Sequence, residues 1–126
     1  MKKEITDILN IIAQTIFDKK GFNILALDVR DISTLTDYII IAEGNVSRHV
    51  QALANMIDHN LAKENIKPYK IEGKEGGDWV VLDFVDIIIH LFIPSIRQKY
   101  QLEKLYQKAE IVDLDIKVEN IAEESL

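Results

Sequence analysis

The sequence predicts a single α+β domain, with a mixed sheet of about five strands flanked by helices. Three observations predict it. Two segments repeat apolar residues at helical spacing, several short β-branched runs follow them, and 126 residues with 48% hydrophobic content supply one core without staples. Taking the elements in order, Ile5, Ile8, Leu9, Ile12, Ala13, Ile16 and Phe17 follow the i, i+3, i+4 pattern and line one face of a helix over residues 3–20. Gly21 is its natural stop. Residues 24–29 read as a strand, and after the polar stretch 31–37, residues 38–42 are too short and too β-branched for a helix. Gly44-Asn45 breaks the chain, and Val50, Leu53, Ala54, Ile57 and Leu61 restore helical spacing up to Glu64.

Pro68 starts a short element over residues 69–72, because proline fits neither a helix interior nor a central strand. Residues 73–78 form a polar, glycine-rich turn, read as flexible. Residues 79–82 and 87–92 carry the strongest strand signals and join across Asp83-Phe84-Val85-Asp86 as a hairpin. Pro94 and Ser95 suit a helix start, leading into a short helical segment that ends near Tyr106. The folded domain is placed at residues 1–108, with residues 109–126 an acidic C-terminal tail. Alternating Ile111, Val112, Leu114, Ile116 and Val118 suit an edge strand, while the acids between them equally suit a mobile tail.

Composition excludes several function classes. The chain has no cysteine, which rules out disulfides, a thiolate nucleophile and a cysteine-built zinc site, and fits a reducing cytoplasm. The start is charged and amphipathic, and no run approaches the roughly 20 apolar residues needed to span a bilayer, so neither a signal peptide nor a membrane span is expected. The net charge of -6 disfavours direct nucleic-acid binding. Most of it sits in the tail. Residues 109–126 hold six acids against Lys117, whereas residues 1–108 hold 15 acids against 14 bases.

Catalytic signatures are weak. Metal-dependent nucleotidyl transfer needs paired carboxylates, commonly an alternating Asp-x-Asp after a Gly-Ser turn, and none is present in that setting. Asp113 and Asp115 alternate, but in the tail. Gly44-Asn45 opens a helix whose free N–H groups suit an anion, yet an ordinary cap explains it equally. Asp83, Asp86 and His90 share one hairpin and define the rival reading, a cryptic metal-dependent nucleotidyltransferase or hydrolase. Against it, no nucleophile motif and no His-x-His or His-Glu-x-x-His spacing occurs. The expectation is no enzyme, no cofactor and no metal.

Trp79 is the chain's single tryptophan and opens a strand. Its plain alternative is a core aromatic. Residues 72–86 carry Glu72, Glu75, Asp78, Asp83 and Asp86 against Lys74, a local charge of -4. An aromatic anchor among acids suits a basic protein partner, the ring desolvated at the centre and the acids steering.

One family shares these residues. Asp37-Tyr38-Ile39-Ile40-Ile41-Ala42, Gly44-Asn45-Val46-Ser47-Arg48-His49-Val50-Gln51-Ala52, Glu72-Gly73, Asp78-Trp79-Val80-Val81-Leu82-Asp83, Asp86, His90, Arg97, Tyr100, Leu102-Glu103 and Leu105 resemble the ribosomal silencing factor (Iojap-like) family, in order from about Ile5 to Tyr106. The resemblance implies a fold similar to nucleotidyltransferases that lacks their catalytic residues. It also implies binding to the large ribosomal subunit through its fourteenth protein, at the face that meets the small subunit, so that translation is repressed by steric competition. Partner contacts are then expected at Trp79, Asp83, Asp86, Tyr100, Leu102, Glu103 and Leu105, with a homodimer as a further expectation. Arg48 and His49 match the family but sit at a helix start, where a role in the fold is the stronger reading. The chain departs from the family at Val85, where glycine is usual; valine would be strained at positive φ, so another turn type is expected. Tyr106 replaces a usual Trp and keeps an aromatic ring.

Overall fold

Helix α1, Ile5–Asp18, buries Leu9, Ile12, Ala13 and Ile16, the stripe expected from its spacing. The structure, a computed structural model, describes residues 4–118. The stop after α1 works differently from the expectation. Lys20 takes the left-handed conformation (φ 70°), and Gly21 N–H closes the turn on the Ile16 carbonyl at 2.7 Å. Gly21 is needed for closeness instead, since a Cβ there would meet Ile16 Cγ2 at 2.4 Å.

Strand β1, Phe22–Asp28, pairs antiparallel with β2, Tyr38–Glu43, and carries a bulge between Phe22 and Leu25 where Asn23 takes φ 52°. Every residue of β2 is buried, because both of its faces are covered. Tyr38, Ile40 and Ala42 face the larger core, and Ile39 and Ile41 the smaller one on the opposite face. Helix α2, Ser47–Ala62, begins the crossover that returns the chain to β2. It leads to β3, Lys70–Glu72, and β4, Trp79–Asp83, before β5, Ile87–Phe92, pairs parallel with β2. Helix α3, Pro94–Tyr100, a 3-10 turn at Leu102–Tyr106 and β6, Glu110–Ile111, complete the chain. The mixed sheet runs β3-β4-β5-β2-β1-β6, one strand more than the sequence indicated.

α1 and α2 cover one face, burying Val50, Leu53, Ile57, Leu82, Ile89 and Leu91 between them and the sheet. Each such side chain contributes about 1.5–3 kcal/mol. The opposite face carries a smaller cluster of Leu27, Val29, Ile39, Ile41 and Phe92. Trp79, Ile96, Leu102, Tyr106 and Ala109 pack over it.

The β4–β5 hairpin corrects one expectation. Val85 does take the left-handed conformation (φ 73°), so the turn is the strained type and not another. Asp86 N–H bonds the Phe84 carbonyl at 2.9 Å, a three-residue γ-turn, and the Asp83 carboxylate accepts Val85 N–H at 2.8 Å. Two local bonds thus hold a β-branched residue where glycine would sit without cost.

After β6 the chain does not leave the body. Val112 N–H bonds the Ala26 carbonyl, Asp115 N–H the Asn10 side chain, and Lys117 exchanges bonds with Gln14 on α1. Val112 and Leu114 pack against the main core. Of the acids counted in the tail, Glu119, Glu123 and Glu124 lie outside the described residues.

Candidate functional site

The partly open face of the sheet gathers Trp79, Phe92, Tyr100 and Tyr106. Strand alternation puts Trp79 and Val81 of β4 on that face, and the register pairs Trp79 with Phe92 and Val81 with His90. The Trp79 ring lies 4.8 Å from Phe92, 5.2 Å from Tyr100 and 6.0 Å from His90, all tilted, a favourable set of ring contacts. Its indole N–H donates to His90 Nδ1 at 3.1 Å. Trp79 is therefore half-buried, partly the core aromatic of its plain alternative and partly surface. Burial holds the His90 imidazole at about 4, far below its ordinary 6.5, so the ring is neutral at physiological pH.

α3 is fixed over this face by ion pairs. Arg97 Nη1 donates to Glu43 at 3.0 Å and to the Asn23 carbonyl at 2.6 Å, while its Nε donates to Glu103 at 3.0 Å. The Arg97 and Glu43 side chains are 12% and 10% exposed, so this is a buried pair reinforced by the β1 bulge, whose Asn23 amide also reaches Glu43 at 3.1 Å. At the end of α3, Gln101 turns left-handed (φ 47°), bends the chain into the 3-10 turn, and leaves Tyr100 53% and Leu105 74% exposed.

The predicted contact residues thus divide into two groups. Trp79, Tyr100 and Leu102 sit together at one end of the sheet, Leu102 on the small core beside Trp79, and Leu105 follows on the 3-10 turn with its side chain in solvent. Glu103 belongs to the same segment, but its carboxylate is tied to Arg97 and one of its oxygens is buried without a partner. Asp83 and Asp86 lie at the other end of the hairpin. Trp79 and Asp83 are four residues apart along β4, about 13 Å. Asp83 caps the turn, and the Asp86 carbonyl accepts Asp37 and Tyr38 N–H.

The glycine-rich turn before Trp79 is pinned, where flexibility was expected. Ser47 hydroxyl donates to Asp78, Gln51 donates to the Lys74 and Glu75 carbonyls, and Gly77 N–H closes on Gly73. Gly73 takes φ 79° under the Trp79 carbonyl, where an added Cβ would lie 2.1 Å away. Three of the five acids around Trp79 are engaged, Asp78 with Ser47, Glu72 with Lys70 at 3.3 Å and Asp83 with the Val85 N–H at 2.8 Å. Lys70 also faces Asp83 across the strand pair, which lowers the effective acidity of the patch.

Asp83, Asp86 and His90, the residues of the rival reading, do not close on a common point: among the described residues no group of three His, Asp or Glu side chains could hold a metal ion. His49 has work in the fold. Its ring accepts Asn45 N–H at 2.9 Å and meets the Lys19 carbonyl at 2.7 Å, tying the end of α1 to the start of α2. Sequence reasoning missed Glu43 and gave His90 no part in the Trp79 surface. A register count back from the hairpin turn was the available signal for the Trp79–His90 contact, whereas Glu43 emerges only from the bulge.

The family model for "Ribosomal silencing factor during starvation" matches residues 2–125. The chain belongs to the ribosomal silencing factor family. It is 40% identical over 108 residues to the ribosomal silencing factor of Bacillus subtilis, a match covering 86% of this chain and 92% of that one. A mouse protein named for mitochondrial assembly of the ribosomal large subunit is 32% identical over 123 residues, 94% of this chain and 52% of the mouse protein. The fold also superposes on the crystal structure of a Chromobacterium violaceum protein with a TM-score of 0.81 and 30% identity, covering 91% and 95% of the two chains. Among the described residues of this silencing factor family member, no helix is long and apolar enough to cross a membrane.

Proposed function

We propose that this chain binds the large ribosomal subunit in the cytoplasm through the ledge formed by Trp79, Tyr100, Leu102 and Leu105, and so blocks association with the small subunit. The observation that carries the reading is the ledge itself, with Tyr100 and Leu105 more than half exposed on a segment locked by Arg97. A rigid aromatic and aliphatic anchor of this kind loses little entropy on docking. The fourteenth protein of the large subunit is the contact this reading names, from the family resemblance, and a basic partner long enough to reach along the strand from the ledge would meet Asp83 and Asp86, about 13 Å from Trp79. The action is steric, needs no reacting group, and represses translation by keeping subunits apart.

Subunit reassociation followed by light scattering tests it. Stoichiometric protein is expected to suppress joining when added to large subunits first; joining at the full rate and extent would refute the reading. Self-association through the same ledge is part of the proposal and predicts that a dimer competes with subunit binding.

A further inference from the structure

The Trp79–His90 contact fixes more than the position of a ring. Nδ1 of the neutral imidazole accepts the indole N–H, so the ring's own proton must sit on Nε2. That Nε2 bonds to no described residue. Among the described residues the fully buried side-chain polar atom without a partner is Glu103 Oε1, so Nε2, which is likewise unpartnered, is not completely enclosed. His90 lies on the same face as Trp79 and Phe92, opposite Val81 in the register, so its N–H is a lone donor within an apolar and aromatic surface.

We propose that His90 is a positioning residue for the docking ledge and also its polar recognition group, holding the Trp79 indole edge through Nδ1 and offering Nε2–H to a main-chain carbonyl of the bound partner. The proposal rests on the docking function above. It assigns the partner's chemistry at this point. Trp79 has spent its N–H internally and is read through its ring face alone, so the surface opposite must be apolar with an acceptor over His90. A lysine or arginine head placed there would set donor against donor, which puts the partner's basic groups away from His90, at the rim of the ledge. A partner lacking the acceptor would bury the Nε2–H unpaired, at a cost of about tenfold or more in affinity. Burial, which lowers the His90 pKa, keeps the ring neutral and so leaves Nδ1 without a proton and able to accept.

Three substitutions separate the two roles. His90→Asn keeps an acceptor near the Nδ1 position and has nothing at Nε2; His90→Gln reaches the Nε2 position with an amide donor and does not hold the indole; His90→Phe does neither. Because Trp79 is the only tryptophan, its emission reports the indole environment directly. The expected emission is that of the native protein for His90→Asn and displaced for His90→Gln and His90→Phe. Affinity for separated large subunits is expected to fall about tenfold for His90→Asn and for His90→Gln, and about thirtyfold or more for His90→Phe. Equal losses and equal emission changes in all three would leave His90 a packing residue and overturn the proposal, as would native affinity in His90→Phe. Should His90→Phe melt early, the Asn and Gln pair still decide it. Native protein that ignores large subunits would sink the docking function and the recognition role together, while the emission order would still decide the positioning role.

Discussion

Arg97 is the residue on which the ledge depends most. It neutralises Glu43, whose side chain is 10% exposed, and bonds both Glu103 and the Asn23 carbonyl. Arg97→Ala would leave a buried carboxylate uncompensated, so a loss of about 3–5 kcal/mol is expected, read as a lower urea midpoint at unchanged m-value. Val85 makes the opposite prediction. Its φ of 73° is strained for a β-branched side chain, and Val85→Gly is expected to stabilise the protein by about 1 kcal/mol, raising the melting temperature by a few degrees. His90 sets a pH dependence. Its folded pKa of about 4 lies below its ordinary 6.5, so the unfolded chain binds a proton that the folded chain refuses between those values. The contribution to stability is complete above pH 6.5, on the order of 3 kcal/mol, and is lost as the pH falls toward 4. The stability gap between native protein and His90→Asn should therefore narrow from pH 7 to pH 4 in urea titrations.

At the scale of elements, the two long helices and the β4–β5 hairpin were legible because each rests on a local period, 3.6 or 2, that its own residues carry. The helix stop at Lys20 and the bulge at Asn23 were not, since both answer to close packing against another element. β6 is one of two alternatives in the sequence for a related reason. The alternation from Ile111 suits an edge strand and a mobile tail equally, and only the pairing of Glu110–Ile111 with Leu27 and Asp28, which exists once β1 is placed, decides for a two-residue strand. The acids near Trp79 looked like one ring in the sequence, but strand geometry draws Asp83 and Asp86 to the far end of the hairpin and hydrogen bonds occupy Asp78. The ledge residues Tyr100, Leu102 and Leu105 came from family resemblance, and physical reading of the sequence alone did not join them to Trp79. The strap after β6 is also testable. Ending the chain at residue 108 removes β6 together with Val112 and Leu114, and is expected to cost about 3 kcal/mol by apolar burial alone, measured by chemical denaturation.

Across the whole molecule, the sheet is covered unequally. α1 and α2 seal one face with a large core, while α3 and the 3-10 turn cover part of the other and leave an aromatic edge beside it. In the proposed function such an arrangement separates stability from recognition: the helical face holds the fold, and the open face presents Trp79 from β4 beside Tyr100 and Leu102 from the segment held by Arg97. The central claim is that this open face docks on the large ribosomal subunit, and cosedimentation of native protein and Tyr100→Ala with separated subunits at moderate salt tests it most directly. Native protein is expected to pellet with large and not small subunits. Tyr100→Ala is expected to lose about 2 kcal/mol, roughly thirtyfold in affinity, with its fold intact. Native protein left in the supernatant, or Tyr100→Ala pelleting as well as the native chain, would contradict the account.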